Sequence, residues 1–322
     1  MNAGAFAQTF TKKPFKDRIK DTGYLIRHSF TIIGRDEDIK TPMIKMGIFT
    51  TILRIIFFLS LLTILTLQSH QNVGLIALTV FLWLIMVAIL IPLRFFYDVR
   101  QKGNLCWVVY NTLCGKDISY RDAVGHTKSQ KGRLKALGLG ELVLVYSRTF
   151  KKDSGLLINL FLGFLTEVWD LLSHFMLPSV VIEEKKLKEI APDLKSLREN
   201  VPATLAGVFG LDFAGDAVKQ LLAGLSFLLI LLSLAAGWLL SFVTDAGAIS
   251  LFSGAFSISW IPTYITLFLV TLVFGIAGKL VESIKVIYFT VFYTSIKQPQ
   301  NITEELREDL THYLTLGGDT EK

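Results

Sequence analysis

Apolar residues in this chain are gathered into long runs, and short polar segments separate the runs. The runs cover residues 46–67, 73–93, 221–243 and 261–279. A helix needs about 20 apolar residues to cross the hydrocarbon core of a bilayer, which is about 30 Å thick. The pattern therefore predicts an all-α fold, that of a polytopic helical membrane protein with four firm transmembrane spans.

Residues 136–180 contain two further apolar stretches, separated by a Lys-Lys-Asp-Ser-Gly turn. We interpret this region as a central membrane hairpin that either re-enters or crosses fully, which would raise the number of membrane segments to six. Glu141 and Arg148 make the first stretch too charged for a firm span. In the second stretch Pro178 lacks an amide donor, so we expect the helix to end or kink near Met176.

The charges indicate the orientation of the chain in the membrane. Residues 1–45 carry nine Lys/Arg against five Asp/Glu, and residues 94–135 carry nine against three, whereas residues 68–72 and 244–260 carry no Lys or Arg. Basic segments stay on the cytoplasmic side. We therefore predict that both termini are cytoplasmic, with a membrane domain over 46–296 that includes cytoplasmic segments 94–135 and 183–219, and a polar acidic tail over 297–322.

Residues 15–33 place apolar side chains at helical spacing, with Lys and Arg between them. The pattern predicts an N-terminal amphipathic helix that lies on the membrane surface or packs on the cytoplasmic face of the protein. On the membrane surface its basic residues would contact anionic headgroups, so membrane lipids are the expected partners.

Several local patterns predict helix boundaries and contacts. Residues 95–113 are semi-apolar and continue the second span, and Ser119 followed by Asp122 resembles a capping box that starts a new helix. The glycines in 203–218 indicate a flexible re-entry before the third span. Ser233 and Gly237 form a small-xxx-small pair that allows close helix packing.

The strongest candidate for chemistry is a polar stripe of Glu167, Asp170 and His174, which share one helix face at i, i+3 and i+7. Polar groups on a lipid-compatible helix require a partner, water or a function. Three interpretations remain open: a hydrogen-bonded structural stripe, an ion or proton pathway, and a metal site. The candidate charge partners are Arg54, Arg148, Lys279, Glu282 and Lys285.

Composition and motifs narrow the function further. The net charge is +6 and only 19% of residues are charged, so contact with anionic lipid explains the basic excess better than nucleic-acid binding. Cys106 and Cys114 form neither a metal knuckle nor a disulfide framework. No compact catalytic motif occurs, and the sequence therefore predicts no enzyme activity, cofactor or metal.

Trp169, Phe175, Pro178 and Glu183 lie in the order W…F-x-x-P-x-x-x-x-E. This signature resembles that of a prokaryotic family of multi-pass membrane proteins with no established activity. That family is distantly similar to the membrane domain fused to some glycerophosphodiester phosphodiesterases. The resemblance implies a helical membrane domain of about six segments in a prokaryotic cytoplasmic membrane, without phosphodiesterase activity.

We therefore expect a non-enzymatic integral membrane protein that acts in membrane organisation, lipid handling or as a scaffold for a protein partner or for its own homo-oligomer. The alternative is a transporter or channel for a small solute, an ion or a lipid, with a polar path at Glu167, Asp170 and His174. An intramembrane metalloenzyme would need more ligands than this stripe supplies.

The predicted topology can be tested by labelling single cysteines in a background that lacks Cys106 and Cys114. Cysteines placed at Ser69 and Ser250 should react with an impermeant thiol reagent from outside, because both lie in segments without Lys or Arg. A cysteine at Ser129 should react only after permeabilisation. Labelling in the reverse pattern would contradict the topology.

Overall fold

The structure is a computed structural model, and it describes residues 31–67, 73–150, 173–186, 189–190, 201–244 and 258–306. Helix accounts for 92% of it and the described residues contain no strand, so the all-α prediction is confirmed. The N-terminal residues 1–30, the middle of the predicted hairpin and the end of the acidic tail lie outside this description.

Seven α-helices of ten residues or more follow one another in the part of the chain that the structure describes. They are α1 (Lys40–Leu67), α2 (Val73–Leu113), α3 (Tyr120–Ser129), α4 (Lys131–Phe150), α5 (Ser173–Ile182), α6 (Val201–Thr244) and α7 (Ile261–Lys297). Short 3-10 helices at Glu37–Ile39, Ile258–Trp260 and Pro299–Asn301 precede α1, precede α7 and follow α7, respectively.

Four helical segments are long and apolar enough to cross a membrane, as the sequence predicts. They are Glu37–Leu65, Val73–Leu113, Lys219–Phe242 and Ile261–Thr294. Their outward side chains are large and apolar, for example Phe81 at 59% exposure and Phe227 at 63%. Such exposure suits a surface that faces acyl chains rather than water.

The chain divides into two compact units. We call Gly47–Arg94 with Gly215–Lys279 the span unit, and Met1–Met46 with Phe95–Ala214 and Leu280–Lys322 the core unit. The span unit contains most of the apolar helix surface, and the core unit contains nearly all of the buried apolar core.

Aromatic contacts and single hydrogen bonds hold the helices of the span unit together. Phe58 of α1 meets the rings of Tyr264 and Phe268 of α7 edge to face, at 5.4 and 5.3 Å between centroids, and the Tyr264 hydroxyl donates to the Phe58 carbonyl. Trp83 of α2 donates its indole N–H to Ser60 of α1 at 3.0 Å. These contacts pair α1 with both α2 and α7.

Small residues permit one further close approach in the span unit. Ser233 is buried, and the backbone of Ser259 lies so close to Gly237 that a side chain there would collide with it. This contact agrees with the close packing that the Ser233 and Gly237 pair predicts.

The core unit has a continuous apolar interior built from distant parts of the chain. Ile39 precedes α1, Val108 lies in α2, Val180 lies in α5 and Ile287 lies in α7, and all four are fully buried in one cluster. Ile302 and Leu306, which follow α7, belong to the same cluster. The first part of the predicted tail is therefore packed onto the core unit.

The turn after α2 is built around Gly115 and receives the segment that follows α7. Gly115 has a φ of +69°, which favours glycine, and a Cβ there would lie 2.6 Å from Thr303. The Thr303 amide donates to the carbonyl of Leu113 at 3.1 Å. At the next helix start, Ser119 and Asp122 form the predicted capping box in full.

Two boundary predictions fail, one of them in part. The helix α5 does not end at Met176 but continues through Pro178 to Ile182, and the alternative of a kink near Met176 stays a prediction. Burial of Val180 and Val181 offsets the hydrogen bond that proline removes. The glycine-containing segment 203–218 is not a re-entrant loop but part of α6. Its Ala, Leu, Val and Phe residues favour helix or tolerate it, and this outweighs a cost of about 1 kcal/mol per glycine.

The structure agrees with the predicted course of α2 and describes only the end of the predicted amphipathic helix. The backbone of α2 runs past Pro92 to Leu113, as expected for residues 95–113. Only residues 31–33 of the amphipathic segment 15–33 are described. Ile32 and Ile33 are buried in the core unit, so this end of the segment packs on protein.

Glu184, just after α5, is the one non-glycine among the described residues with a positive φ, at 53°. The amide of Lys185 returns to the carbonyl of Ser179 at 3.3 Å, which is the C-terminal geometry that favours glycine. We expect Glu184→Gly to raise the free energy of unfolding by about 1 kcal/mol because it relieves this strain.

Gly115→Ala is the matched opposite change, and it should lower that free energy by about 1 kcal/mol or more because alanine resists this φ and meets Thr303. Thermal unfolding of the purified protein in detergent measures both shifts. Shifts of the free energy of unfolding in the same direction for Glu184→Gly and Gly115→Ala would contradict this account.

Candidate functional site

The helix α5 is fixed at its C-terminal end by side chains of the core unit. The ring of His126 in α3 donates from Nε2 to the carbonyl of Val181 at 2.8 Å, and Gln130 donates to the same carbonyl at 3.3 Å. The His126 ring also stacks on Trp107 of α2, with centroids 3.5 Å apart and planes 10° apart. These contacts satisfy a carbonyl that a helix end would otherwise leave unpaired.

A small cleft lies beside the first described turn of α5. Its described lining comes from α2, α4 and α5: Val99, Lys102, Leu137, Ser173, His174 and Leu177. Its volume is about 20 Å³, which suits one water-sized group. The lining combines an ammonium, a hydroxyl and an imidazole with three aliphatic side chains.

Lys102 is the charged group of this cleft. Only 8% of its side chain is exposed, and its Nζ lies 3.9 Å from a carboxylate oxygen of Glu282 in α7, whose side chain is 36% exposed. A buried ammonium is unfavourable without a compensating charge, so Glu282 stabilises it. This ion pair joins α7 to α2 within the core unit.

His174 is the member of the predicted polar stripe that the structure describes. It is 4% exposed, lines the cleft, and its ring centroid lies 5.3 Å from that of Phe289 in α7. This placement fits the expectation that the stripe faces protein or water rather than acyl chains. Glu167 and Asp170 lie outside the described residues, so the stripe as a set stays a prediction.

A hydrogen-bond network joins α2 to α3 in the core unit. Thr127 donates to the side chain of Asn104, Asn104 donates to Gln101 at 3.1 Å, and the Tyr120 hydroxyl donates to Gln101 at 2.9 Å. Asn104, Thr127 and Gln101 are buried. Satisfied buried networks of this kind fix one packing arrangement, and this one positions Lys102 within α2.

The other predicted site residues are placed separately. Pro178 lies inside α5, and Glu183 follows it and pairs with Lys185 at 2.6 Å. Lys285 of the core unit and Lys279 of the span unit are 8% and 5% exposed. Arg54 lies in the span unit against Gly275. Trp169 and the side chain of Arg148 lie outside the described residues.

The described residues contain no group of three or more His, Cys, Asp or Glu that could hold a metal ion. Cys106 is a buried free thiol and Cys114 a half-buried one. Burial raises the pKa of the Cys114 thiol, so less of it is thiolate at neutral pH and its nucleophilicity is low.

The sequence interpretation missed Lys102 and the network around Gln101 and Asn104. It assigned the polar residues of 94–135 to a cytoplasmic surface because positive charge near a span usually has that meaning. A signal was present, since Gln101, Lys102 and Asn104 are followed directly by the apolar stretch 105–109. Polar residues next to an apolar stretch of the same helix are typical of a buried hydrogen-bond network.

Comparison of the chain with family models, with curated proteins and with solved structures finds no match. The resemblance suggested by Trp169, Phe175, Pro178 and Glu183 therefore stays a prediction.

The ion pair between Lys102 and Glu282 can be tested by a double-mutant cycle. Glu282→Gln should lower the free energy of unfolding by about 1–2 kcal/mol, because the carboxylate that compensates a buried ammonium is lost. Lys102→Met should cost less, since Glu282 is more exposed and water can solvate it. The double variant with Lys102→Met and Glu282→Gln should regain most of the free energy of unfolding that Glu282→Gln alone loses, as measured by thermal unfolding. Additive losses would show that the two groups do not interact.

Proposed function

We propose that this protein is a non-enzymatic integral membrane protein that binds and organises membrane lipid. The observation that carries the proposal is the composition of the cleft in the core unit, where Lys102, Ser173 and His174 share one small space with Val99, Leu137 and Leu177. Cationic and hydroxyl donors beside aliphatic side chains match an amphiphile with an anionic end.

The chemistry of the lining explains this preference. The Lys102 ammonium can donate up to three hydrogen bonds to anionic oxygens, and a serine hydroxyl and an imidazole N–H can each add one. The aliphatic side chains favour the methylene groups next to such a headgroup. A cleft of about 20 Å³ accommodates a single headgroup oxygen or one methylene group of a lipid, not a large soluble substrate.

The surroundings of the cleft suit binding better than turnover. The helix α5 is held by the hydrogen bonds of His126 and Gln130 to Val181, and α2 is held by the network of Gln101 and Asn104. Rigid supports of this kind preorganise a binding site and lower the entropic cost of occupying it.

Glu282 gives the site a way to be regulated. Its carboxylate neutralises Lys102 at 3.9 Å, so an anionic ligand competes with it for the same ammonium. Since Glu282 is the more exposed partner, it can turn to water when a headgroup takes its place. The affinity for anionic lipid should therefore depend on both residues, in opposite directions.

The proposal is tested by the lipid that the purified protein retains, measured by native mass spectrometry after exchange into mixed micelles. Lys102→Met should lower retention of phosphatidylglycerol about tenfold at this site, because a charge-assisted hydrogen bond is lost. Glu282→Gln should raise it, since the competing carboxylate is removed. Lys135→Met is the matched control, because Lys135 is exposed on α4, two residues from Leu137.

Two results would speak against this function. Equal retention of phosphatidylglycerol by wild type, Lys102→Met and Glu282→Gln would show that the cleft does not bind this lipid. Proton or ion flux in liposomes that is lost in His174→Ala and kept in Lys102→Met would instead favour the transport alternative, in which His174 lines a path.

A further inference from the structure

Two tryptophans lie at one end of the span unit, and both are exposed. Trp238 lies near the end of α6 and is 63% exposed, and Trp260 directly precedes α7 and is 52% exposed. The backbone of Ser259 lies against Gly237. Because each tryptophan directly follows one of these two contacting residues, both indoles lie at about the same level of the span unit.

Lysines lie at the opposite end of the same two helices. Lys219 precedes Trp238 by 19 positions, Lys279 follows Trp260 by 19 positions, and no charged residue lies between either lysine and its tryptophan. At a rise of about 1.5 Å per residue this spacing is about 28 Å, close to the thickness of a hydrocarbon core. Lys219 is exposed, whereas Lys279 is buried and ends the apolar run inside the protein. The two helices therefore have the same apolar length.

The other two spans place their arginines toward the same end. In α2 the uncharged run ends at Arg94. In α1 the guanidinium of Arg54 lies against Gly275, which precedes Lys279 by four positions, or about 6 Å along the helix. A long arginine side chain can extend to the bilayer surface from this depth. One end of the span unit is thus basic and the other is aromatic.

A third tryptophan of the span unit shows what the hydrocarbon core requires of an indole. Trp83 precedes Arg94 by 11 positions, which is about 16 Å and places it about halfway along the apolar length. Its indole N–H donates to Ser60 at 3.0 Å. A donor at this depth needs an acceptor from the protein, because acyl chains offer none.

The tryptophans at the aromatic end differ from Trp83 in this respect. No described residue accepts a hydrogen bond from the indole N–H of Trp238 or Trp260, although the Trp238 ring meets that of Phe242 edge to face at 4.7 Å. Ester carbonyls and phosphate oxygens are acceptors at a bilayer surface, and tryptophan is enriched at that level. The difference in hydrogen bonding therefore agrees with a difference in depth.

We propose that Trp238 and Trp260 form a membrane-interface site that binds the ester and phosphate oxygens of phospholipids at the face opposite the basic residues. Together with the basic end, this site fits the span unit to a bilayer whose hydrocarbon core is about 28 Å thick. Its ligand is a phospholipid surface of any headgroup charge. The site is in the span unit and uses no residue of the cleft around Lys102, so either proposal can fail without the other.

The depth of the indoles is measured by fluorescence of the full-length protein in phosphatidylcholine vesicles, with bromine on the acyl chains either near the ester or near the terminal methyl group. Bromine near the ester should quench Trp238 and Trp260 more strongly, and bromine near the methyl group should quench Trp83 more strongly. The emission that each single Trp→Phe variant loses identifies the contribution of that residue. Stronger quenching of Trp238 and Trp260 by bromine near the methyl group would overturn the proposal.

The fit to bilayer thickness is measured by thermal unfolding in phosphatidylcholine bilayers of increasing chain length. The melting temperature of the wild type should be highest where the hydrocarbon core is about 28 Å thick, because mismatch in either direction has a free-energy cost. The double variant Trp238→Leu with Trp260→Leu should flatten this maximum, since leucine can enter the hydrocarbon core without a donor that lacks an acceptor.

Phe227→Leu is the matched control for this experiment. Phe227 is 63% exposed on α6, as Trp238 is, and lies 11 positions before it, which places it near the middle of the apolar length. The control should keep the maximum of the wild type. An unchanged maximum in the tryptophan double variant, or one that Phe227→Leu flattens equally, would contradict the proposal.

Two further results keep the test decisive. If the double variant fails to fold, the quenching of the wild type and of the single Trp→Phe variants still reports the depth of both indoles. Lys102→Met should keep the thickness at which the melting temperature is highest. A maximum that Lys102→Met removes would assign the dependence on thickness to the core unit, against the proposal.

Discussion

The cost of placing charge in hydrocarbon governs the division of this chain into two units. Over the two segments of the span unit the sequence has only four basic and two acidic residues, and large apolar side chains such as Phe227 and Trp238 point outward. The helices of this unit are therefore solvated by acyl chains. Their association depends on aromatic edges, on single hydrogen bonds such as that of Trp83 to Ser60, and on small residues, because burial of apolar surface gives no driving force in lipid.

The core unit differs because it buries its side chains, including polar ones, inside the protein. The helix α2 belongs to both units and shows this difference along its length. Its most apolar window has no buried residue, whereas most side chains from Asp98 to Leu113 are buried, among them Gln101, Lys102 and Asn104. Burial of polar groups is tolerated here because hydrogen bonds and an ion pair compensate the lost hydration. The same compensation leaves hydrogen-bond donors and aliphatic side chains together in the lining of the cleft.

The spans could be predicted from the sequence because bilayer thickness imposes a length and a composition that 20 residues are enough to reveal. The capping box at Ser119 and Asp122 could also be predicted, since it depends only on two residues that are three positions apart. The helix end expected before Pro178 is absent. The cost of a proline within a helix depends on neighbouring residues, whereas the packing that offsets this cost comes from distant parts of the chain. Lys102 was missed for a similar reason: a lysine near a span reads as cytoplasmic surface, and only the fold brings Glu282 of α7 to it. Gly275 carries no signal at all until Arg54 is seen against it.

The packing of Ile302 and Leu306 into the same cluster as Ile39 has a consequence for biosynthesis. A chain leaves the ribosome from its N-terminus, so α1, α2, α6 and most of α7 emerge before these last residues do. The interior of the core unit is shared among three separate stretches of chain, and contacts between such distant residues form slowly. Insertion of the spans can therefore begin before the core unit closes. Until residues 302–306 have emerged, Leu113 and its apolar neighbours lack part of the packing that buries them.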